Sequence, residues 1–305
     1  MSEGEPTRLV ERTRASLTRD LREEITDFAA ILAQHHDALA VLFYGSNLRS
    51  GELDGVLDFY VLTPGPRERG LWPRVAYHEM KAGADVLRAK VAIMNLATFD
   101  HAARGRHVDT TIWARFVQPS AIAWARDDGA RAKVASAVAK AARTAARFAA
   151  VLGPEWGTER AFWQGLFAAT YRAELRVEAP GRESQILDNG AAHFDGLLAP
   201  AWKAGGIPFI REGDLFAVRM DPRQKAGLQS RWARRRRLGK PLNVVRLLRA
   251  GLTFEGGARY LAWKIERHSD VKVRLTPFRE KHPLLCAPVL VGSWLRAKRR
   301  AGRTD

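Results

Sequence analysis

A chain of 305 residues with 46% hydrophobic and 27% charged residues is long enough to bury a sizeable core, and these values exclude a disordered or fibrous protein. Lysine and arginine number 50 against 33 acids, a net charge of +17, which suits a polyanion such as a nucleotide, nucleic acid or an anionic bilayer. The single cysteine, Cys286, excludes an internal disulfide, fits a reducing compartment and reads as a packing residue.

The first residues, Met1 to Thr7, are polar and acidic and have no signal-peptide pattern, and no apolar run reaches the length of a membrane span. A cytoplasmic protein is expected, peripheral to the inner face of the membrane if it meets one. Leu9 to Ala38 has helical spacing, with Leu17, Leu21, Ile25, Phe28 and Leu32 on the apolar side. Strands are expected around Phe43 and Asp58, the second ended by Pro64-Gly65-Pro66. Leu87 to Met94 reads as a third strand and Ala121 to Trp124 as a short fourth. The order implies an α+β fold, a mixed sheet with flanking helices. After Asp127 the composition becomes helical, with an alanine-rich run from Arg131 to Leu152 and helix continuing from Phe162 to Val177. Leu197 to Ile207 is broken by Pro200 and Gly205-Gly206, and later helix covers Asn243 to Arg249 and Gly257 to Arg267. Two parts are therefore expected: 1–127 with the sheet, and 128–305, mostly helical and basic.

The chemistry concentrates between Val41 and Leu62. An apolar strand runs into Tyr44-Gly45-Ser46, and a second strand carries Asp58 twelve positions after Ser46. This is the layout of a nucleotidyltransferase site. A Gly-Ser turn offers backbone N–H groups and a hydroxyl to a triphosphate, and an acid on the next strand holds Mg²⁺ against it. A carboxylate in an apolar strand is costly unless it is paired or bound to a cation. Such sites carry a second acid two positions on, where this chain has Tyr60. Asp54, four positions before Asp58, shares its face if the strand starts early, although Gly55 favours a turn. Lys90 either reaches the phosphates or is a strand-edge lysine.

Arg231 to Arg237 is the densest run of charge, followed by Lys240, Arg246, Arg249, Arg259, Lys264 and Arg267, with Trp232, Phe254, Tyr260 and Trp263 between them. Aromatic and basic residues together suit single-stranded nucleic acid or a membrane interface, and a solvated face is the plain alternative. The apolar segment His282 to Leu295 ends in Arg296 to Arg300. It reads either as an interfacial anchor or as a helix packed on the core.

With these residues in view, the chain resembles the mitochondrial-type CTP:phosphatidate cytidylyltransferases. The shared features are Tyr44-Gly45-Ser46, then Leu57-Asp58-Phe59, then Ala114 to Pro119, which keeps an arginine and a proline but has Gln118 for a lysine. Thr170 to Val177 keeps the family's tyrosine, acid and arginine as Tyr171, Glu174 and Arg176, and Ala192-His193-Phe194 follows. The resemblance runs in order over about residues 40 to 197 and leaves the last third uncovered. It implies a nucleotidyltransferase-like fold, CTP and phosphatidic acid as substrates, Mg²⁺, CDP-diacylglycerol as product and a membrane-contacting C-terminal part. Taking the residues and the resemblance together, Asp58 is the expected metal ligand, with Asp54 a weaker candidate beside it. Tyr44, Gly45, Ser46 and Lys90 bind the nucleotide. Arg115 and Arg176 clamp phosphate, Glu174 or Asp109 completes the acids, and His193 meets the lipid phosphate or packs against Phe194. A nucleotidyltransferase acting on RNA, protein or a small molecule explains the same motif, as does a non-catalytic basic binding module.

Overall fold

The computed structural model describes residues 4–83, 85–174, 182–253 and 255–268. The chain runs α1 (Gly4–Leu17), α2 (Glu23–His35), β1 (Ala40–Tyr44), α3 (Ser46–Ser50), β2 (Val56–Thr63), β3 (Arg74–Ala82), β4 (Asp85–Asn95), α4 (Leu96–Ala103), α5 (Thr111–Phe116) and β5 (Ser120–Ala125). There follow α6 (Asp128–Leu152), β6 (Trp156–Thr158), α7 (Glu159–Ala173), α8 (Arg182–Asn189), α9 (Ala191–Phe194), α10 (Leu198–Gly205), β7 (Phe209–Glu212), β8 (Leu215–Val218), α11 (Pro222–Thr253) and α12 (Gly257–His268).

Strands β3-β4-β2-β1-β5 form a five-stranded mixed sheet. β2 and β4 are parallel, and the other pairs are antiparallel. Alternation along β2 sends Leu57, Phe59 and Val61 to one face and Tyr60 and Leu62 to the other. The first face is closed by Ile25, Phe28, Ala29 and Leu32 of α2. The second is closed by α1, α4, α5 and α6, and the alanines of α6 let these helices approach closely. Asp127 starts α6 by accepting a 2.6 Å hydrogen bond from the Ala130 N–H. Packing is continuous across residue 127, because α6 touches β1, β5 and α5 on one side and α7 and α10 on the other.

The mixed sheet, its helices and the helical C-terminal part agree with the sequence. Several elements differ. The helix expected from Leu9 to Ala38 is two helices, broken at residues 18–22. Leu9 and Leu17 serve one core and Ile25 to Leu32 the other, so one apparent stripe covers opposite faces of the sheet. The segment around Pro200 is helical, because the proline stands in the first turn of α10, where its missing N–H is not needed. Strand β3 and the small sheet β6-β8-β7 were not expected. The hairpin β7-β8 turns at Gly213 (φ +59°) and packs Phe209 and Phe216 on Trp202.

The basic run is partly internal. Trp232 and Arg235 of α11 are buried, and the Arg235 guanidinium donates to the carbonyls of Gly105 (2.5 Å) and His107 (2.9 Å) and lies 4.8 Å from the centre of the Phe148 ring. Arg246 stands 4.6 Å over Trp72, and Trp263 lies beneath Arg88 at 5.4 Å. These residues hold α11 and α12 against the rest of the fold and are not a free aromatic-basic face. No described helix is long and apolar enough to cross a membrane. Phe254, the segment from His282 to Arg300 with Cys286, and Arg176 lie outside the described residues.

Candidate active site

Sheet register builds the site. Ser120, Tyr44, Asp58, Lys90 and Tyr77 lie side by side across β5, β1, β2, β4 and β3. Lys90 is thus the direct neighbour of Asp58 on a parallel strand, 32 positions away in sequence. Above the row opens a cleft of about 380 Å³, walled by Gly45, Ser46, Arg49, Arg115, Gln118, Tyr171, Gln185 and Asn189.

Gly45 has φ +95°, and a Cβ there would meet Asp58 Oδ2 at 2.8 Å. The turn therefore needs glycine both for its backbone and for its contact with the carboxylate. Ser46 opens the short α3 with its side chain exposed, and Asn47 is buried beneath the turn, donating to the carbonyls of Glu52 (3.0 Å) and Asp54 (2.9 Å). Those bonds fix the loop so that Asp54 is exposed and away from the cleft. Asp54 and Asp58 do not come together, because the turn at Gly55 ends any shared strand face.

Burial pushes the Asp58 carboxyl above its ordinary value, and Lys90, Arg115 and Arg49 pull it back. Among the described residues that line the cleft, Asp58 is the one acid, facing those three cations. The place of a second acid is filled by Tyr60, whose ring packs among Tyr44, Phe99 and Phe116. Arg115 projects from α5, 5.4 Å from the centre of the Tyr44 ring. Its guanidinium is permanently charged and presents a planar fork to phosphate.

Glu174 was expected within a helix running on to Val177. Instead α7 stops at Ala173, and Glu174 is its cap in extended conformation (φ −94°, ψ 155°). Gly239 of α11 approaches this end closely, since a Cβ there would sit 2.4 Å from the Ala173 carbonyl. Tyr171 lines the cleft, whereas Glu174 is buried and accepts a hydrogen bond from Thr110 Oγ1. It acts on Arg115 electrostatically from behind and is no cleft ligand. Asp109 is also withdrawn, paired with Arg246 at 2.7 Å.

His193 has both ring nitrogens engaged. Nε2 donates to the Val117 carbonyl (2.9 Å), so Nδ1 accepts from the Ser16 hydroxyl (3.1 Å). Burial lowers its pKa, against the raising effect of the Val117 bond. It is a neutral packing histidine at the edge of a second cavity of about 430 Å³, which also holds Arg12, Arg19 and Arg49. The two cavities share Arg49, Gln118, Pro119 and Asn189. Arg49 was missed in the sequence; its signal was its place three residues after Ser46, one turn along α3.

The chain is similar to a solved nucleotidyltransferase-like protein from Exiguobacterium sibiricum 255-15, at 13% identity over 90% of each chain, with a TM-score of 0.25. A likeness this loose says nothing about the site. No family model and no curated protein matches the chain.

If the cleft catalyses nucleotidyl transfer, Gly45→Ala is expected to lower its kcat/KM by about a hundredfold, since the new methyl would displace the Asp58 carboxylate. Circular dichroism should stay unchanged. A variant of normal activity would remove the turn from the site.

Proposed function

We propose that this protein is a Mg²⁺-dependent nucleotidyltransferase that joins CTP to phosphatidic acid at a membrane surface. The observation that carries the proposal is the row Tyr44–Asp58–Lys90 beside the Gly45-Ser46 turn, one carboxylate facing Lys90, Arg115 and Arg49 across a cleft.

A single carboxylate fits Mg²⁺, which commonly takes one or two protein acids and completes its shell with water and substrate phosphates. Asp58 would hold the ion, which, when bound, neutralises charge on the triphosphate. The remaining charge falls to the chain itself. Ser46 and the N–H groups of its turn, Lys90 and Arg115 bind the phosphates, and three fixed cations take the load that a second acid and its ion would otherwise carry. Tyr171 closes the side of the cleft.

The acceptor would enter from the adjoining cavity, where Arg12, Arg19 and Arg49 suit a phosphate monoester. An oxygen of that phosphate bonds to the α-phosphorus of CTP as the bond to the β-phosphate bridge breaks, and pyrophosphate leaves. A phosphate nucleophile is already ionised, so no general base is required. His193 is accordingly free to be structural. The ordered motifs shared with the phosphatidate cytidylyltransferases favour CTP and phosphatidic acid. The charge of +17 and the basic sequence from Arg296 to Arg300 favour an anionic membrane.

The test is transfer of label from α-labelled CTP with Mg²⁺, offered phosphatidic acid vesicles, an RNA oligonucleotide and a small phosphomonoester in parallel. Lipid-extractable CDP-diacylglycerol with matching pyrophosphate is expected. Label on RNA or on the small phosphomonoester alone would overturn the lipid acceptor. Tight CTP binding without pyrophosphate release would leave a binding module in place of an enzyme.

A further inference from the structure

On the opposite face of the sheet from Asp58 stands a group of three histidines that the proposed reaction does not use. His35 is the last residue of α2, His36 is its C-cap, and His78 lies on β3 beside Ala76 and Met80, on the side covered by α2. One ring nitrogen from each lies within 4.8 Å of the other two. Consecutive helical residues diverge by about 100°. Here His36 is the C-cap with non-helical dihedrals (φ −109°, ψ 8°), and its ring centre lies 4.6 Å from that of His35.

The spacing is specific. His36 Nε2 and His78 Nε2 are 3.3 Å apart. Two nitrogens each about 2.0–2.1 Å from a tetrahedral zinc ion are separated by about 3.3–3.4 Å. The pair therefore already has the edge length of a tetrahedral zinc site. His35 is exposed, and its ring centre is 4.6 Å from that of His36 and 5.1 Å from that of His78, so a rotamer adjustment can bring in the third nitrogen.

We propose that His35, His36 and His78 bind one zinc ion, or a similar borderline divalent metal, and clamp the end of α2 to the edge strand β3. Three imidazoles with a fourth position left to water are a known donor set for zinc and do not suit Mg²⁺ or Ca²⁺. Around them, Glu255 favours a cation, while Arg74 and Arg259 oppose one. The clamp would also steady the Tyr77 N–H bond to the Glu255 carbonyl (2.8 Å), through which β3 meets the chain between α11 and α12.

The experiment uses full-length protein without an affinity tag, stripped by chelator and titrated with zinc by calorimetry and with Co²⁺ by visible absorption. One equivalent of zinc and the strong visible bands of a low-coordinate cobalt site are expected, with a rise in Tm. His35→Ala, on the exposed side and safe for folding, and His78→Gln should each weaken binding by about tenfold or more, at least the cost of losing an outer-shell partner. Asp58→Asn, on the other face, should keep the cobalt spectrum. Absence of a stoichiometric site would overturn the proposal, as would binding that His35→Ala and His78→Gln both leave intact.

Discussion

Asp58→Asn is expected to abolish nucleotidyl transfer and to leave the protein at least as stable as the parent. The activity loss should be about a thousandfold or more, since the ion that Asp58 would hold is worth several kcal/mol of charge stabilisation. The stability half follows from the carboxyl's environment. Burial raises its pKa, and the pull of Lys90, Arg115 and Arg49 does not fully cancel that rise. A carboxyl whose folded pKa lies above its unfolded one stabilises the fold below the unfolded value, and that contribution is lost as pH rises through the folded value. Above the ordinary carboxylate range the acid is therefore a strain on the fold, and the isosteric amide relieves it. Urea melts in chelator should show a gain at pH 7 that shrinks as pH falls towards the ordinary carboxylate range. An inactive variant that is also less stable would mean that Asp58 is structural, held by its cations and not kept for a metal.

Asp58 was legible in the sequence because its cost is local. An acid in the middle of Leu57-Asp58-Phe59-Tyr60-Val61 breaks an apolar strand, and Gly45-Ser46 lies a short hairpin away. Its neighbour Lys90 was legible as a phosphate-reaching or a strand-edge lysine but not as the direct partner of Asp58, because parallel pairing of β2 and β4 is a non-local event with no sequence mark. Strand β3 was missed for a related reason. Its two sides carry Val75, Tyr77 and Glu79 against Ala76, His78 and Met80, a pattern too mixed to show alternation because both faces are partly covered.

The charged residues show the same limit. Arg231 to Arg237 looks like a solvated face by composition, yet Arg235 spends its donors on carbonyls more than a hundred positions earlier. Glu174 looked like a residue inside a helix that continues past Tyr171. The helix ends at Ala173, where Gly239 of α11 lies against it, and helical periodicity does not report such a neighbour. Residue types were readable, but partners far along the chain were not.

Arg246 is where such a distant partner should matter most for stability. It reaches from α11 to Asp109 at 2.7 Å, with the two side chains 14% and 3% exposed, and its guanidinium lies over Trp72. Asp109 also accepts a 2.7 Å bond from Thr111 Oγ1, and neighbouring Thr110 donates to Glu174, so the pair anchors the start of α5, the helix that carries Arg115. Arg246→Met should cost about 3–5 kcal/mol, because it leaves a buried carboxylate without its cation, and should lower Tm by roughly 10 °C. Asp109→Asn should cost less. The amide keeps a hydrogen-bonding group toward Thr111, and Arg246, nearer the surface, can be rehydrated. The double variant should recover much of the loss, since a buried pair is worth little more than a neutral replacement once both charges are gone. Urea melts over the full cycle decide it. Equal single losses with full additivity would mean that the two ends act independently and that α11 is held by packing alone. A fall in kcat for Arg246→Met, which does not line the cleft, would show that the anchor positions Arg115.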